Sequence, residues 1–175
     1  MNPSLVFRPV RDSDLAAIAG FAGTPEELYY LAPRASFPLS VEQLAASIAQ
    51  RSDSSVVCRG EQVLGFANIY KREPGGACYV GNVAVAPHAR RQGVARFLMQ
   101  RMGELARARH AASEVRVSCF NSNTAGLLLY GRLGYRPFAL EERLDWQQLP
   151  IVLIHLRLPL DEAAAGHGSD KVHRH

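Results

Sequence analysis

Residues Gly81 to Met99 read GNVAVAPHARRQGVARFLM, and their pattern decides the fold. A short apolar strand runs up to Pro87. A turn rich in Arg, Gln and Gly follows, and then a helix begins. The first N–H groups of a helix have no internal partner, and the helix dipole adds positive potential there. An anion is therefore expected beside Arg90-Arg91-Gln92-Gly93-Val94-Ala95-Arg96. Gly93 lets a ligand approach the main chain, and Ala95 keeps the next position small. Arg90 and Arg91 supply forked cations suited to phosphate. Val94, Leu98, Met102 and Leu105 recur at helical spacing, so that face of the helix is expected in the core.

Other phosphate loops fit badly. The chain has no Gly-x-x-x-x-Gly-Lys-Ser/Thr and no Gly-x-Gly-x-x-Gly after a strand. Arg90-x-x-Gly93-x-Ala95 instead resembles the acetyl-CoA loop of the GNAT superfamily of N-acetyltransferases, Arg/Gln-x-x-Gly-x-Gly/Ala. Val83-Ala84-Val85-x-Pro87 resembles that family's pantetheine-binding strand. A second segment, NTAGLLLYGRLGY from Asn123 to Tyr135, resembles the family's Asn-x-x-Ala-x-x-Leu-Tyr-x-x-x-Gly-Phe. Asn123, Leu129, Tyr130 and Gly134 match. Tyr135 replaces Phe, and Gly126 replaces the usual Ala. The motif-bearing core covers roughly residues 77–138.

Whole-chain properties agree with one domain. The chain has 175 residues, 47% apolar and 21% charged, ordinary globular composition. No apolar run approaches the roughly 20 residues of a membrane span. The N-terminus lacks the basic start and apolar stretch of a signal peptide, so a cytoplasmic location is expected. Cys58, Cys78 and Cys119 lie far apart in predicted strands and read as small buried residues, with no metal or disulfide role. Net charge is +4, and no basic run is interleaved with aromatics, so nucleic acid is not an expected partner. No metal site is expected. Residues 1–160 are assigned to the domain and 161–175 to a disordered tail; the spacing of His167, His173 and His175 makes no metal site.

Periodicity and caps place the remaining elements. Leu5 to Val10 reads as an edge strand, since it carries Pro9. A helix over about 14–21 is expected, capped by Asp12 or Ser13. Thr24-Pro25-Glu26-Glu27 opens a second helix, and Ser40-Val41-Glu42-Gln43 a third through a capping box. Ser55–Arg59 and Gln62–Lys71 form a hairpin. Cys78–Val85 and Glu114–Cys119 are the fourth and fifth strands. The Asn123 segment becomes a helix with Ala125, Leu128, Leu129 and Leu133 as its buried face, ended by Gly134. Tyr135–Arg143 and Ile151–Leu158 close the sheet, with His155 an ordinary sheet-face residue. The expected fold is α+β: a mixed, mostly antiparallel sheet of about seven strands with helices on both faces. The resemblance implies a splay between two central parallel strands, those ending at Val85 and Cys119.

The resemblance also implies the chemistry, acetyl transfer from acetyl-CoA to an amine. The Arg90–Arg96 loop would hold the phosphates. The main chain of Val83 and Val85 would pair with the pantetheine arm, and the Val83 N–H would donate to the thioester oxygen. Asn123 would lie against the cosubstrate. Tyr130 would protonate the leaving thiolate, since a phenol is neutral at pH 7. The general base is open among Glu26, Glu27, Tyr79 and a water chain. Gly81–Val85 resembles the strand of ribosomal-protein N-terminal acetyltransferases. Ser118, Cys119, Phe120 and Asn121 stand where those enzymes carry carboxylates, which argues against their activity. Glu26, Glu27, Tyr29, Tyr30 and Phe37 are the acceptor-site candidates; the aromatic segment fits an amine pocket, core packing or a contact between two copies. A GNAT-fold sensor that binds CoA without transferring acetyl is the alternative function.

Overall fold

The computed structural model describes residues 4–160; the expected tail and its histidines lie outside them. Strand β1 (Leu5–Pro9) leads through a 3-10 turn to α1 (Leu15–Ala19), α2 (Pro25–Leu31) and α3 (Val41–Ala49). Then come β2 (Ser52–Arg59), β3 (Gln62–Arg72), β4 (Ala77–Val85), α4 (Val94–His110), β5 (Glu114–Phe120), α5 (Thr124–Arg132), β6 (Arg136–Leu144) and β7 (Pro150–Pro159). One seven-stranded sheet has the order β1-β2-β3-β4-β5-β7-β6. Among the described residues only β4 and β5 pair in parallel; every other neighbouring pair is antiparallel. Among the described residues no helix is long and apolar enough to cross a membrane.

Local signals account for most boundaries. Thr24 accepts a hydrogen bond from the Glu27 N–H and sets Pro25 at the first helical position. Ser40 accepts from the Gln43 N–H, but the box is not closed. The Gln43 carboxamide turns outward, accepting from the Ser36 N–H and donating to the Ser36 and Pro38 carbonyls. The first helix is shorter than expected. Its start is fixed by neither Asp12 nor Ser13 but by Asp14, whose buried carboxylate accepts from the Arg11 N–H and from both Nη atoms of Arg8. That pairing with Arg8 holds the Asp14 carboxyl below its usual range.

β3 is buried on both faces along most of its length. Gly65 lets α4 lie close: a Cβ there would meet Val94 at 3.0 Å and Leu98 at 3.5 Å. Val94, Leu98 and Met102 are buried as expected, with Leu105 packed at the margin. The three cysteines are buried. On α5 the expected face is wrong by a partial turn: Ala125 and Leu128 are exposed, while Tyr130 is buried and Leu127, Leu129 and Leu133 pack on the core. The reason is Gly126. Without a side chain it lets the helix settle onto β5, where a Cβ would lie 2.8 Å from Cys119 Sγ. That contact rotates Tyr130, one turn later, inward.

Candidate active site

β4 and β5 stay paired for three positions only, Ala77↔Glu114, Cys78↔Val115 and Tyr79↔Arg116. Beyond them both strands continue, β4 to Val85 and β5 to Phe120, without register partners on each other. The sheet therefore opens into the expected splay. A bulge marks its start. Asn82 takes a left-handed φ of 51°, and the β3 register jumps from Asn68↔Gly81 to Phe66↔Ala84. Asn82 and Val83 thus have no register partner on either side, leaving main-chain groups at the splay for a peptide-like arm.

The bulge is held by a polar chain through the core. Asn82 Nδ2 donates to the Leu31 carbonyl at 2.7 Å, and Asn82 Oδ1 accepts from Asn68 Nδ2 at 2.9 Å. Asn68 is fully buried, and its Oδ1 accepts from Arg51 Nη1 at 3.1 Å. The chain joins β3, β4 and the end of α2. Neither asparagine was among the expected site residues. Their signal was a lone Asn in each of two otherwise apolar runs, ANI and GNVAV.

At the far end of β4 the Arg-rich turn leads into α4. Gly93, at φ 79°, is its N-cap and has nothing within 4 Å of where a Cβ would sit. Arg91 also has a positive φ, 60°. The N–H groups of Val94, Ala95 and Arg96 face the open end of the helix with no helix carbonyl to bond. Arg91, Gln92, Gly93 and Arg96 are exposed, Ala95 is half-buried, and the Val94 side chain is in the core, so Val94 offers only its main chain. Arg59 of β2 joins the loop by donating to Gln92 Oε1 at 3.2 Å. An open glycine cradle, free helix N–H groups and Arg59, Arg90, Arg91 and Arg96 form a donor set that fits a diphosphate-bearing group. Arg90 is not wholly free, however: its Nη1 lies 3.2 Å from Glu27 Oε1.

Beside Cys119 of β5, Tyr130 of α5 is buried, its ring edge-on to Tyr135 with centroids 5.6 Å apart. Burial, reinforced by neighbouring Cys119 and Tyr135, pushes the phenol well above its ordinary pKa, so it keeps its proton. Burial also raises the Cys119 thiol to about 12, leaving it a neutral packing group. Asn123 caps α5, its Oδ1 accepting from the Gly126 N–H at 3.1 Å. Val83, Ala84 and Val85 are half-buried on the opposite strand.

The acceptor candidates come together on the other side. Tyr29 lies against Phe120 of β5, centroids 4.7 Å apart, and against Trp146 at 6.0 Å. Its hydroxyl donates to the Leu144 carbonyl. Tyr30 lies 6.2 Å from Phe120, donates to Glu26 Oε1 at 2.6 Å, and meets Ser122 Oγ at 2.7 Å. Burial raises both phenols, and the bond to Glu26 adds to the rise at Tyr30. Glu27 is turned away from these rings: Oε2 accepts from the Gly23 N–H and Oε1 pairs with Arg90. Tyr29 and Phe37 line a cavity of about 390 Å³ with Arg34, Arg143 and Trp146. A larger cleft of about 570 Å³, between α1 and the β2–β3 turn, contains none of the expected site residues.

Fold and site together define a class: an α+β domain in which a parallel strand pair opens beside a glycine-capped helix start lined by arginines. Comparison with known proteins agrees. The model of the acetyltransferase (GNAT) family matches residues 16–135, and the chain belongs to that family. Similar solved structures include a GCN5-related N-acetyltransferase from Kribbella flavida, 25% identical, with a TM-score of 0.71 over 89% of this chain and 98% of that one. A Salmonella typhimurium protein solved with its cofactor acetyl-CoA is 21% identical, with a TM-score of 0.69 over 94% and 99%. The ribosomal-protein-S18-alanine N-acetyltransferase of Escherichia coli is 18% identical, with a TM-score of 0.68 over 95% and 100%. At such identities the last two attest the fold. Membership of the family carries acetyl transfer as the general activity.

Proposed function

We propose that the chain transfers acetyl from acetyl-CoA directly to a primary amine of a small molecule or peptide. The observation that carries this reading is the splay itself. It has an anion-binding loop at its end, unpaired main chain at the Asn82–Val83 bulge and a protonated, buried phenol on the facing side. Acetyl-CoA supplies an activated acyl group as a thioester. The chain's residues do the rest. Arg59, Arg91, Arg96 and the helix N–H groups bind the phosphates. The main chain of Val83 and Val85 aligns the arm, and the Val83 N–H stabilises developing negative charge on an acyl oxygen. Tyr130 holds the proton destined for the departing sulfur.

The amine enters from the α2 side, past Tyr29, Tyr30 and Phe120. Glu26 offers a carboxylate next to these rings, a combination suited to a cationic head on an apolar body. Phe37 and Trp146 widen the apolar wall. The test is thiol release from acetyl-CoA with the purified protein and a panel of aliphatic amines, arylalkylamines and peptides with free α-amines. Amine-dependent release supports transfer. Tight acetyl-CoA binding by calorimetry without release for any amine would instead make the chain a CoA-binding module.

A further inference from the structure

A primary ammonium with a pKa near 10.4 is neutral in only about one molecule in a thousand at neutral pH. Transfer therefore needs a proton acceptor. The structure engages each side-chain candidate, Glu26, Glu27 and Tyr79, elsewhere. Glu27 is tied to Gly23 and Arg90, Glu26 to Tyr30. The Tyr79 hydroxyl donates to Glu73 Oε1 and accepts from Arg116 Nη1. A different arrangement lies on the sheet face beside the splay. His155 of β7 sits opposite Ser118 of β5, its Nδ1 2.8 Å from Ser118 Oγ. Its Nε2 lies 3.1 Å from Glu141 Oε2 on β6.

The surroundings give this chain a direction. Arg143 donates to the other oxygen of Glu141 at 2.6 Å and holds that carboxyl below its usual range, with His155 adding to the effect. An ionised Glu141 accepts from Nε2–H, leaving Nδ1 as an acceptor for the Ser118 hydroxyl. Ser118 Oγ has two lone pairs, one turned to the Tyr70 hydroxyl, its hydrogen-bond partner, and one for the amine. Tyr70 of β3 faces Ser118 and spans the edge of the splay, its ring 2.8 Å from where a Gly81 Cβ would be. The Phe138 ring flanks His155 at 6.2 Å. Arg116, ion-paired with Glu114, and Arg157 lie over the Phe138 ring at 5.0 and 5.7 Å, and Arg51 lies over the Tyr70 ring at 5.4 Å. His155 is about a quarter exposed, enough to pass a proton on to water.

We infer that His155, acting through Ser118 and positioned by Glu141, is the proton acceptor for the incoming amine. This rests on the acetyl-transfer reading. One ammonium proton passes to Ser118 Oγ as the Ser118 proton passes to Nδ1. The amine nitrogen regains its lone pair, and the imidazolium that forms is stabilised by Glu141 until it releases the proton to solvent. Water is the final acceptor of that proton, and no other group outside the chain and the amine takes part.

The experiment uses the amine giving the fastest thiol release in the panel above. His155→Gln should lower kcat/KM about 10²-fold near pH 7. The deficit should shrink as pH rises toward the amine's own pKa, because the neutral amine then needs no acceptor. Ser118→Ala should reproduce this pH-dependent deficit, and Glu141→Gln a smaller one. Acetyl-CoA affinity, read by calorimetry, should stay within about threefold in all three variants. In the wild type, nitrogen-15 NMR should find the neutral His155 ring protonated at Nε2. A deficit of equal size at every pH, no deficit, or an Nδ1–H ring would overturn the assignment while leaving transfer intact. A wild-type protein that releases no thiol with any amine defeats the reading beneath it as well.

Discussion

The side-chain amide of Asn82 and the carbonyl of Leu31 are 2.7 Å apart, so the β4 bulge and the end of α2 are fixed as one unit. The strand proposed to align the cosubstrate is thereby bound to the helix that carries Tyr29 and Tyr30. Asn82→Ala should leave Asn68 Nδ2 and the Leu31 carbonyl without this partner, a loss of about 1–3 kcal/mol. Urea unfolding should record it, and KM for both substrates should rise together. An effect on one KM alone would mean that strand and helix are not coupled through this bond.

Gly93→Val adds bulk where the structure leaves open space, at a φ of 79°. The cost to the fold is backbone strain of about 1–3 kcal/mol, since a β-branched residue resists that conformation. The cost to acetyl-CoA binding should be far larger, because the branch fills the cradle. Gly93→Ala should fall between. Calorimetry showing wild-type affinity in a folded Val variant would remove the phosphate-loop assignment.

Tyr130 has no hydrogen bond to its hydroxyl among the described residues, so Tyr130→Phe should leave the melting temperature and acetyl-CoA affinity nearly unchanged. kcat should fall by about 10²-fold or more if the phenol protonates the departing sulfur. The upward shift of its pKa means that the proton is still in place throughout the neutral and mildly alkaline range. Activity should therefore show no loss assignable to Tyr130 below about pH 10. An unchanged kcat with chemistry rate-limiting would reduce Tyr130 to packing.

Glu26 and Glu27, adjacent in sequence, should separate in function. Tyr30→Ala should raise KM for the amine and leave acetyl-CoA affinity nearly unchanged, and Glu26→Gln should follow it. Glu27→Gln releases Arg90 from its pairing at 3.2 Å, so it should change acetyl-CoA affinity instead. That change should be severalfold at most, since exposed ion pairs contribute about 1 kcal/mol or less. Indistinguishable kinetic profiles for Glu26→Gln and Glu27→Gln would contradict this division.

Gly126 occupies the place of the family's usual Ala, and the structure gives the reason: Cys119 Sγ and Asn123 Nδ2 would each lie 2.8 Å from an added Cβ. Gly126→Ala should destabilise by about 1–3 kcal/mol through overpacking. Cys119→Ala should cost less in the Gly126→Ala background than alone. Additive losses in the double variant would show that the two positions do not compete for space.

Periodicity, caps and turn residues made every helix and strand legible, because such signals act over four or five residues. Thr24 and Ser40 cap the helices they were expected to cap. The glycine-capped, Arg-rich turn at the start of α4 was readable for the same reason: its helix N–H groups, Gly93 and Arg90, Arg91 and Arg96 are close in sequence. The face of α5 was not readable. Its apolar residues nearly encircle the helix, and the deciding contact is with Cys119, on another element. His155 read as an ordinary sheet residue because an alternating strand shows only which face a side chain takes.

The sequence by itself determined the class of fold and the Arg- and Gly-rich turn that opens α4, both carried by contiguous chain; the burial of Tyr130 came from the packing of Gly126 on Cys119. Tertiary structure decided which charges are spent and which remain. It turned Glu27 toward Arg90, 63 residues away. It locked Asn82 to Leu31 and set His155 between Ser118, 37 residues away, and Glu141, 14 residues away. Hydrogen bonds and ion pairs act over about 3 Å, and only strand register and helix docking bring residues so distant in sequence within that reach.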